Sequence, residues 1–239
     1  MNVWAVGHGT LASAVWKGCH AAGFGYNGPL DLLWFCEDVP LNGDTADYAA
    51  VLHELRIMLS DLEADVPVLI SSQLPVGTIA MLEREFPASS FAYCPENLRV
   101  ATADADFRHQ ARMIIGRRTG RYDAMWRTLC APITSHHIQT APETAEMSKH
   151  TMNAFLALQI AFANEIGAIA RQVGANPDVV ATALLTEDRV SPRAPLRPGA
   201  PFGGGHLARD CRVLENVADQ RHIVCPIITH ILASNRVAR

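Results

Sequence analysis

Asn2-Val3-Trp4-Ala5-Val6-Gly7-His8-Gly9-Thr10-Leu11-Ala12 opens with a short β-branched and apolar run, then two glycines one residue apart, then residues able to start a helix. Residues 2–6 are expected to form a strand and the stretch to about Ala22 a helix. Strand, glycine turn and helix together are the opening of a dinucleotide-binding unit. Glycines in such a turn let the backbone approach a pyrophosphate, while the helix N-terminus supplies free N–H donors and a partial positive charge. Gly7, Gly9, Thr10 and Leu11 are therefore the candidate cofactor-binding residues. Ala12 takes the third glycine position and is small enough to keep helix and strand close. Without a ligand, the same turn is only a tight connection in an α/β fold. A dinucleotide site also needs a carboxylate at the end of the second strand for the adenosine ribose. With 31–36 as that strand, Glu37 or Asp38 stands in place; the other reading is two acids capping a solvated strand end.

Outward from this unit, apolar runs at 66–71, 91–94, 112–116 and 133–138 alternate with helical segments at 45–63, 77–86 and 121–130. Strands alternating with helices predict a mostly parallel sheet. From 144 to 174 the pattern becomes one long helix with Met147, Phe155, Ile160, Phe162 and Ile169 on more than one face. Such a helix needs cover on several sides, from its own domain and from a second subunit. Gly174 fits a left-handed helix stop, and Asn176-Pro177-Asp178 fits an N-cap, a first-turn proline and a first-turn acid. Residues 186–205 read as a Pro/Gly/Arg loop, and two helices follow at 206–220 and 225–237. The expected fold class is α/β: a reduced Rossmann-like, mostly parallel sheet over 1–140, then an all-helical dimerisation and substrate domain with one long helix over 141–239.

The chain has 239 residues, 49% of them hydrophobic and 18% charged, enough for a sizeable core. A formal net charge of −4 argues against a general electrostatic grip on nucleic acid or on a membrane surface. Six cysteines lie without a CxxC pair and the N-terminus lacks the charged and apolar regions of a signal peptide, so reduced thiols and a cytoplasmic location are expected. Polar residues interrupt the apolar stretches short of the roughly 20 residues that span a bilayer. Ten histidines show no HExxH or finger spacing, and no metal site is expected.

Only Lys17 and Lys149 among the 20 basic residues are lysines. Lys149 and Asn153 are four apart on the long helix, hence on one face. An ammonium beside a carboxamide suits acid/base work on a hydroxyl or carbonyl, although such a pair is most often a solvated face. Three polar points flank apolar runs: Ser71-Ser72-Gln73, then Glu96-Asn97-Leu98-Arg99, then Phe202-Gly203-Gly204-Gly205-His206-Leu207-Ala208-Arg209-Asp210. Strand-end residues of an open α/β sheet line its ligand crevice.

Taken together, Ser71-Ser72-Gln73-Leu74-Pro75-Val76-Gly77-Thr78, the run from Cys94 to Phe107 with 111–116 after it, the segment 145–180 and the loop 196–210 resemble the UDP-glucose/GDP-mannose dehydrogenase family, in the family's order and over almost the whole chain. The resemblance implies NAD or NADP as cofactor, a small, sugar-derived substrate and a homodimer through the 144–174 helix. In the family, a nucleotide-sugar C6 alcohol is oxidised to a carboxylate by two NAD+, through a thiohemiacetal on a cysteine. By motif, Glu96 corresponds to the glutamate that orders water, Lys149 to the lysine that stabilises alkoxide, Asn153 to its polar partner and Asp210 to the aspartate beside the nucleophile. Ser72 falls with the cofactor-binding residues. Asn97, Leu98, Arg99, Phe202, Gly203 and Arg209 fall with the substrate-binding ones.

His206 stands where the family has its nucleophilic cysteine, and Arg209 where it has lysine. Without a thiolate, no thiohemiacetal holds an aldehyde for a second hydride transfer. The resemblance also places 31–47 in a later strand-loop of the family, which separates Glu37 from the ribose-binding strand. It further implies that the family's third, nucleotide-binding domain is absent. Two readings follow: an oxidoreductase limited to two-electron chemistry on an alcohol or carbonyl, with Lys149 as acid/base, or an inactive homologue acting as a dimeric partner subunit.

Overall fold

The computed structural model of the chain describes residues 1–42, 45–63, 65–96, 98–118, 123–203 and 205–237. Strands β1 (Val3–Val6), β2 (Leu32–Phe35), β3 (Val68–Ile70), β4 (Phe91–Tyr93), β5 (Met113–Arg117) and β6 (His137–Thr140) form one sheet in that order. All neighbours are parallel except β4 and β5, which run antiparallel. The mostly parallel sheet read from the alternation is thus present. Helices α1 (Thr10–Ala21), α2 (Tyr48–Asp61), α3 (Thr78–Glu85), α4 (Ala103–Arg108) and α5 (Asp123–Cys130) connect the strands.

Strand β2 shows why the sheet is buried on both faces. Leu32 and Trp34 join a core with Val15, Cys19, Phe107 and Trp126, and the alternate residues Leu33 and Phe35 join another with Leu55, Leu59, Ile70 and Leu82. Gly18 lets α4 approach α1, because a Cβ there would collide with the Phe107 ring. The first strand is an edge, paired in the sheet only with β2. Beside it Trp16 stacks on His20, with the Tyr26 ring tilted against both, and Trp4 donates its indole N–H to Tyr26 O at 3.3 Å.

Two expectations need correction. The strand expected at 133–138 lies at His137–Thr140; Ile133 and Thr134 are buried in the turn before it, so their apolar and β-branched character reflects core packing rather than a ladder. The run after Arg99, given no helix in the sequence reading, carries a 3-10 turn at Val100–Thr102 and then α4.

Compact units form from Met1–Asn42 with Ala46–Lys149, and from His150–Arg239. The division falls inside α6 (Pro142–Gln172). In the second unit follow α7 (Pro177–Leu185), α8 (His206–Gln220) and α9 (Pro226–Val237). The end of α6 matches its sequence signals: Gly174 has φ 74°, Ala175 N donates to Ala170 O, and Asn176 caps α7 by accepting from the Asp178 and Val179 amides. Ala154, Ala157, Phe202, Cys211 and Ile231 are the core of this unit. By length and composition α6 also meets the requirement for crossing a membrane, with an 18-residue window of mean hydropathy 1.3. The interruptions seen in the sequence did not show this.

Candidate functional site

The glycine turn lies between β1 and α1, with Gly7 at φ 137° and Gly9 at φ 103°. Gly7 is required by close approach of the β2 end, and Gly9 by its positive φ. A Cβ on Gly7 would stand 2.7 Å from Cys36 C, and one on Gly9 would collide with Asp38 Oδ2. Helix α1 has no side-chain cap and no acid in its first turn, so the Thr10 and Leu11 end offers helix-terminal donors.

Glu37 follows β2 as expected and is 9% exposed. It accepts hydrogen bonds from the turn itself: His8 N at 2.8 Å, with His8 Nδ1 at 3.0 Å. The carboxylate expected to hold a ribose is thus engaged by the amide of the turn, a different geometry. The fit to a dinucleotide is therefore divided. The backbone suits a phosphate, but the Asp38 carboxylate against Gly9 and that of Glu37 at His8 bring negative charge where an anion would bind.

At the other strand ends, Ser71 Oγ accepts from Trp34 Nε1 at 2.9 Å and donates to Cys94 O at 2.7 Å, tying β2, β3 and β4 together. Ser72 is fully buried and its hydroxyl has no partner among the described residues. Glu96 is 6% exposed and accepts from Gln110 Nε2 at 3.4 Å and Cys94 Sγ at 3.7 Å. Burial pushes its carboxyl up to about 7; Lys149 and these two donors oppose the rise. Lys149 Nζ donates to the Glu96 carbonyl oxygen at 2.6 Å. The residues singled out as acid/base and water-ordering candidates are thus adjacent. Arg99 is held by Asp106, with Nη2 to Oδ1 at 2.6 Å, and Leu98 is half-buried. Asn97 lies outside the described residues.

In the second unit Asp210 of α8 is engaged by two side chains of α6. Asp210 and His150 are both fully buried; His150 Nδ1 stands 2.6 Å from Asp210 Oδ1, and Asn153 Nδ2 donates to Asp210 Oδ2. His206 Nδ1 is 3.1 Å from Arg209 Nη2 at the start of α8. Phe202 is fixed by the Asn235 side-chain amide, whose Oδ1 accepts from Phe202 N and whose Nδ2 donates to Phe202 O, both at 2.9 Å. A Cβ on Gly203 would meet nothing within 4 Å, so packing does not demand that glycine. Gly204 lies outside the described residues. Cys211 does not replace the missing nucleophile: burial first, then the Asp210 charge, pushes its thiol up to about 12.

Two buried participants had no clear signal in the sequence. Glu146 is fully buried and accepts from Gly77 N at 2.6 Å and Ile79 N at 2.9 Å, capping α3 from α6. His150 sits beside the singled-out lysine, but its partner is 60 residues away. A third grouping, His8 with Glu37 and Glu54, has ligand atoms all within 4.8 Å of one another. No spacing rule reveals it, because the three come from separate elements.

A mostly parallel sheet with a glycine turn, followed by a long helix bearing Lys149 and Asn153, is the architecture of a dinucleotide-binding type of fold. Residues 143–237 match the model of the UDP-glucose/GDP-mannose dehydrogenase family, central domain. The UDP-glucose 6-dehydrogenase of Rickettsia typhi is 29% identical over 199 residues, 80% of this chain and 46% of that protein. The GDP-mannose 6-dehydrogenase of Pseudomonas aeruginosa is 36% identical over 146 residues, 59% of this chain and 33% of that one. A solved UDP-glucose dehydrogenase from Pyrobaculum islandicum superposes with TM-score 0.78 at 25% identity, over 87% of this chain and 50% of that one. Residues 143–237 thus resemble the central domain of that family, and the likeness to its dehydrogenases extends over most of the chain. The chain spans about half the length of the curated relatives it matches.

Proposed function

We propose that the chain is an NAD(P)-linked oxidoreductase performing a two-electron oxidation of an alcohol, or the reverse carbonyl reduction, on a small sugar-derived substrate. The observation that carries this reading is the Lys149 ammonium 2.6 Å from the Glu96 carbonyl, beside a carboxyl brought to about 7 by burial. A group that gains and loses its proton near neutrality is suited to general acid/base work. Lys149 stabilises the alkoxide and takes part in moving its proton, and Glu96 holds that proton or a water. The nicotinamide, when bound, supplies or accepts the hydride. Gly7, Gly9, Thr10, Leu11 and Ser72 are assigned to the cofactor. Asn153, Asp210 and His206 are assigned with Lys149 and Glu96 to the catalytic residues, and Arg209, Asn97, Leu98, Arg99, Phe202 and Gly203 to binding the substrate. With His206 in the cysteine's place, the sequence supports one hydride transfer rather than two.

Lys149→Ala tests the assignment. Turnover monitored by NAD(P)H absorbance is expected to fall by at least two orders of magnitude with the fold retained; unchanged turnover overturns it.

A second reading is supported by the carboxylates at the glycine turn and by the apolar surface of α6. It makes the chain an inactive homologue acting as a dimeric partner subunit. Micromolar NAD binding in calorimetry argues against it. Both readings share a homodimer through residues 144–174, where Phe155, Phe162 and Ile169, seven residues apart, are 54%, 44% and 59% exposed.

A further inference from the structure

We propose that His8, Glu37 and Glu54 form a binding site for one divalent transition-metal ion at the glycine turn. The three side chains come from the β1–α1 turn, the end of β2 and the middle of α2, and their ligand atoms lie within 4.8 Å of one another. His8 Nδ1 and Glu37 Oε2 are already 3.0 Å apart. Two ligands on a tetrahedral ion, each about 2.0–2.1 Å from it, stand about 3.3 Å apart, so that pair needs only a small opening. Glu54 is half-buried. It makes no hydrogen bond or ion pair to any described residue, although it faces the Glu37 carboxylate.

Two carboxylates converging with no lysine or arginine between them, among the described residues, repel one another, and a cation relieves that repulsion. One imidazole with two carboxylates favours zinc, manganese or cobalt over magnesium, whose preference is for oxygen alone. His8 is 85% exposed at its side chain, which leaves an entry path. Three protein ligands also leave a coordination position for an outside oxygen. The same ion would supply the positive charge that the turn lacks beside the α1 N-terminus. That last consequence rests on the cofactor reading above; ion binding itself does not.

The test is calorimetric titration of Zn2+, and separately Mn2+, into the chelator-treated full chain and into Glu54→Gln and His8→Ala. One ion per chain is expected, with affinity at least tenfold weaker in each variant. Circular dichroism melts check that the variants fold; Glu54→Gln keeps the side-chain shape and decides the case if His8→Ala does not. Absence of saturable one-to-one uptake, or uptake by the variants equal to that of the natural chain, overturns the site. An NADH fluorescence titration with and without the ion separates the two ideas. Ion uptake without NADH binding supports the metal site and overturns the cofactor reading, and NADH binding without ion uptake does the reverse.

Discussion

Glu96 shows how position changes the chemistry of one residue. An exposed glutamate is ionised at neutral pH, whereas this one is held near half-protonation by burial. Its folded value of about 7 lies above the ordinary 4.5, so folding favours the neutral acid. That contribution is fully present below pH 4.5 and is lost as pH rises through 7. Between pH 4.5 and 8 the natural chain is expected to lose about 3 kcal/mol of stability relative to Glu96→Gln, from 1.36 kcal/mol per pKa unit. Urea unfolding midpoints of both proteins across that range measure it, and parallel profiles would show that the acid is not held neutral. The glutamate itself was legible from its motif, but its protonation was not. That depends on burial in the assembled fold, against which Cys94, Gln110 and Lys149, contacts 2, 14 and 53 residues away, favour the ionised form.

Among elements, α6 links a cap to a core. Its Glu146 carboxylate satisfies two donors at the start of α3, where Gly77, the N-cap residue, has no side chain to do so. Replacing Glu146 by alanine leaves those buried amides unpaired and is expected to cost about 2 kcal/mol. The resulting fall in denaturation midpoint is expected to be recovered in part by glutamine, which keeps one acceptor. The helix was legible because a long apolar run without breakers and with a glycine stop is a local signal. Which face it turned to α3 was not, since that requires the sheet to be assembled first. Strand β5 illustrates the same limit: its apolar run is visible in the sequence, but its antiparallel pairing with β4 is set by the path of the chain through α4.

For the molecule as a whole, the recurring question is what covers the apolar stripe of α6. Sedimentation is expected to show a dimer, and a Phe155→Asp, Phe162→Asp double variant a monomer with helix content retained; a natural chain that sediments as a monomer contradicts the pairing. The order of elements and the class of fold followed from hydrophobic periodicity and turn residues, both local. The fate of Glu37 was not legible. Strand order places it against the turn's own amide, and strand order is a property of the assembled sheet.

All four tryptophans and all four tyrosines precede His150, where the second unit begins. Ultraviolet emission therefore reports only on the sheet-bearing unit, and within it on two populations. Trp34 and Trp126 are enclosed, whereas Trp4 and Trp16 are 47% and 49% exposed. An external quencher such as acrylamide should silence the second pair while the first still emits. Melting of the helical unit would pass unseen by emission and register only in far-ultraviolet dichroism. A mismatch between the two signals would then be a direct reading of whether the two units unfold together.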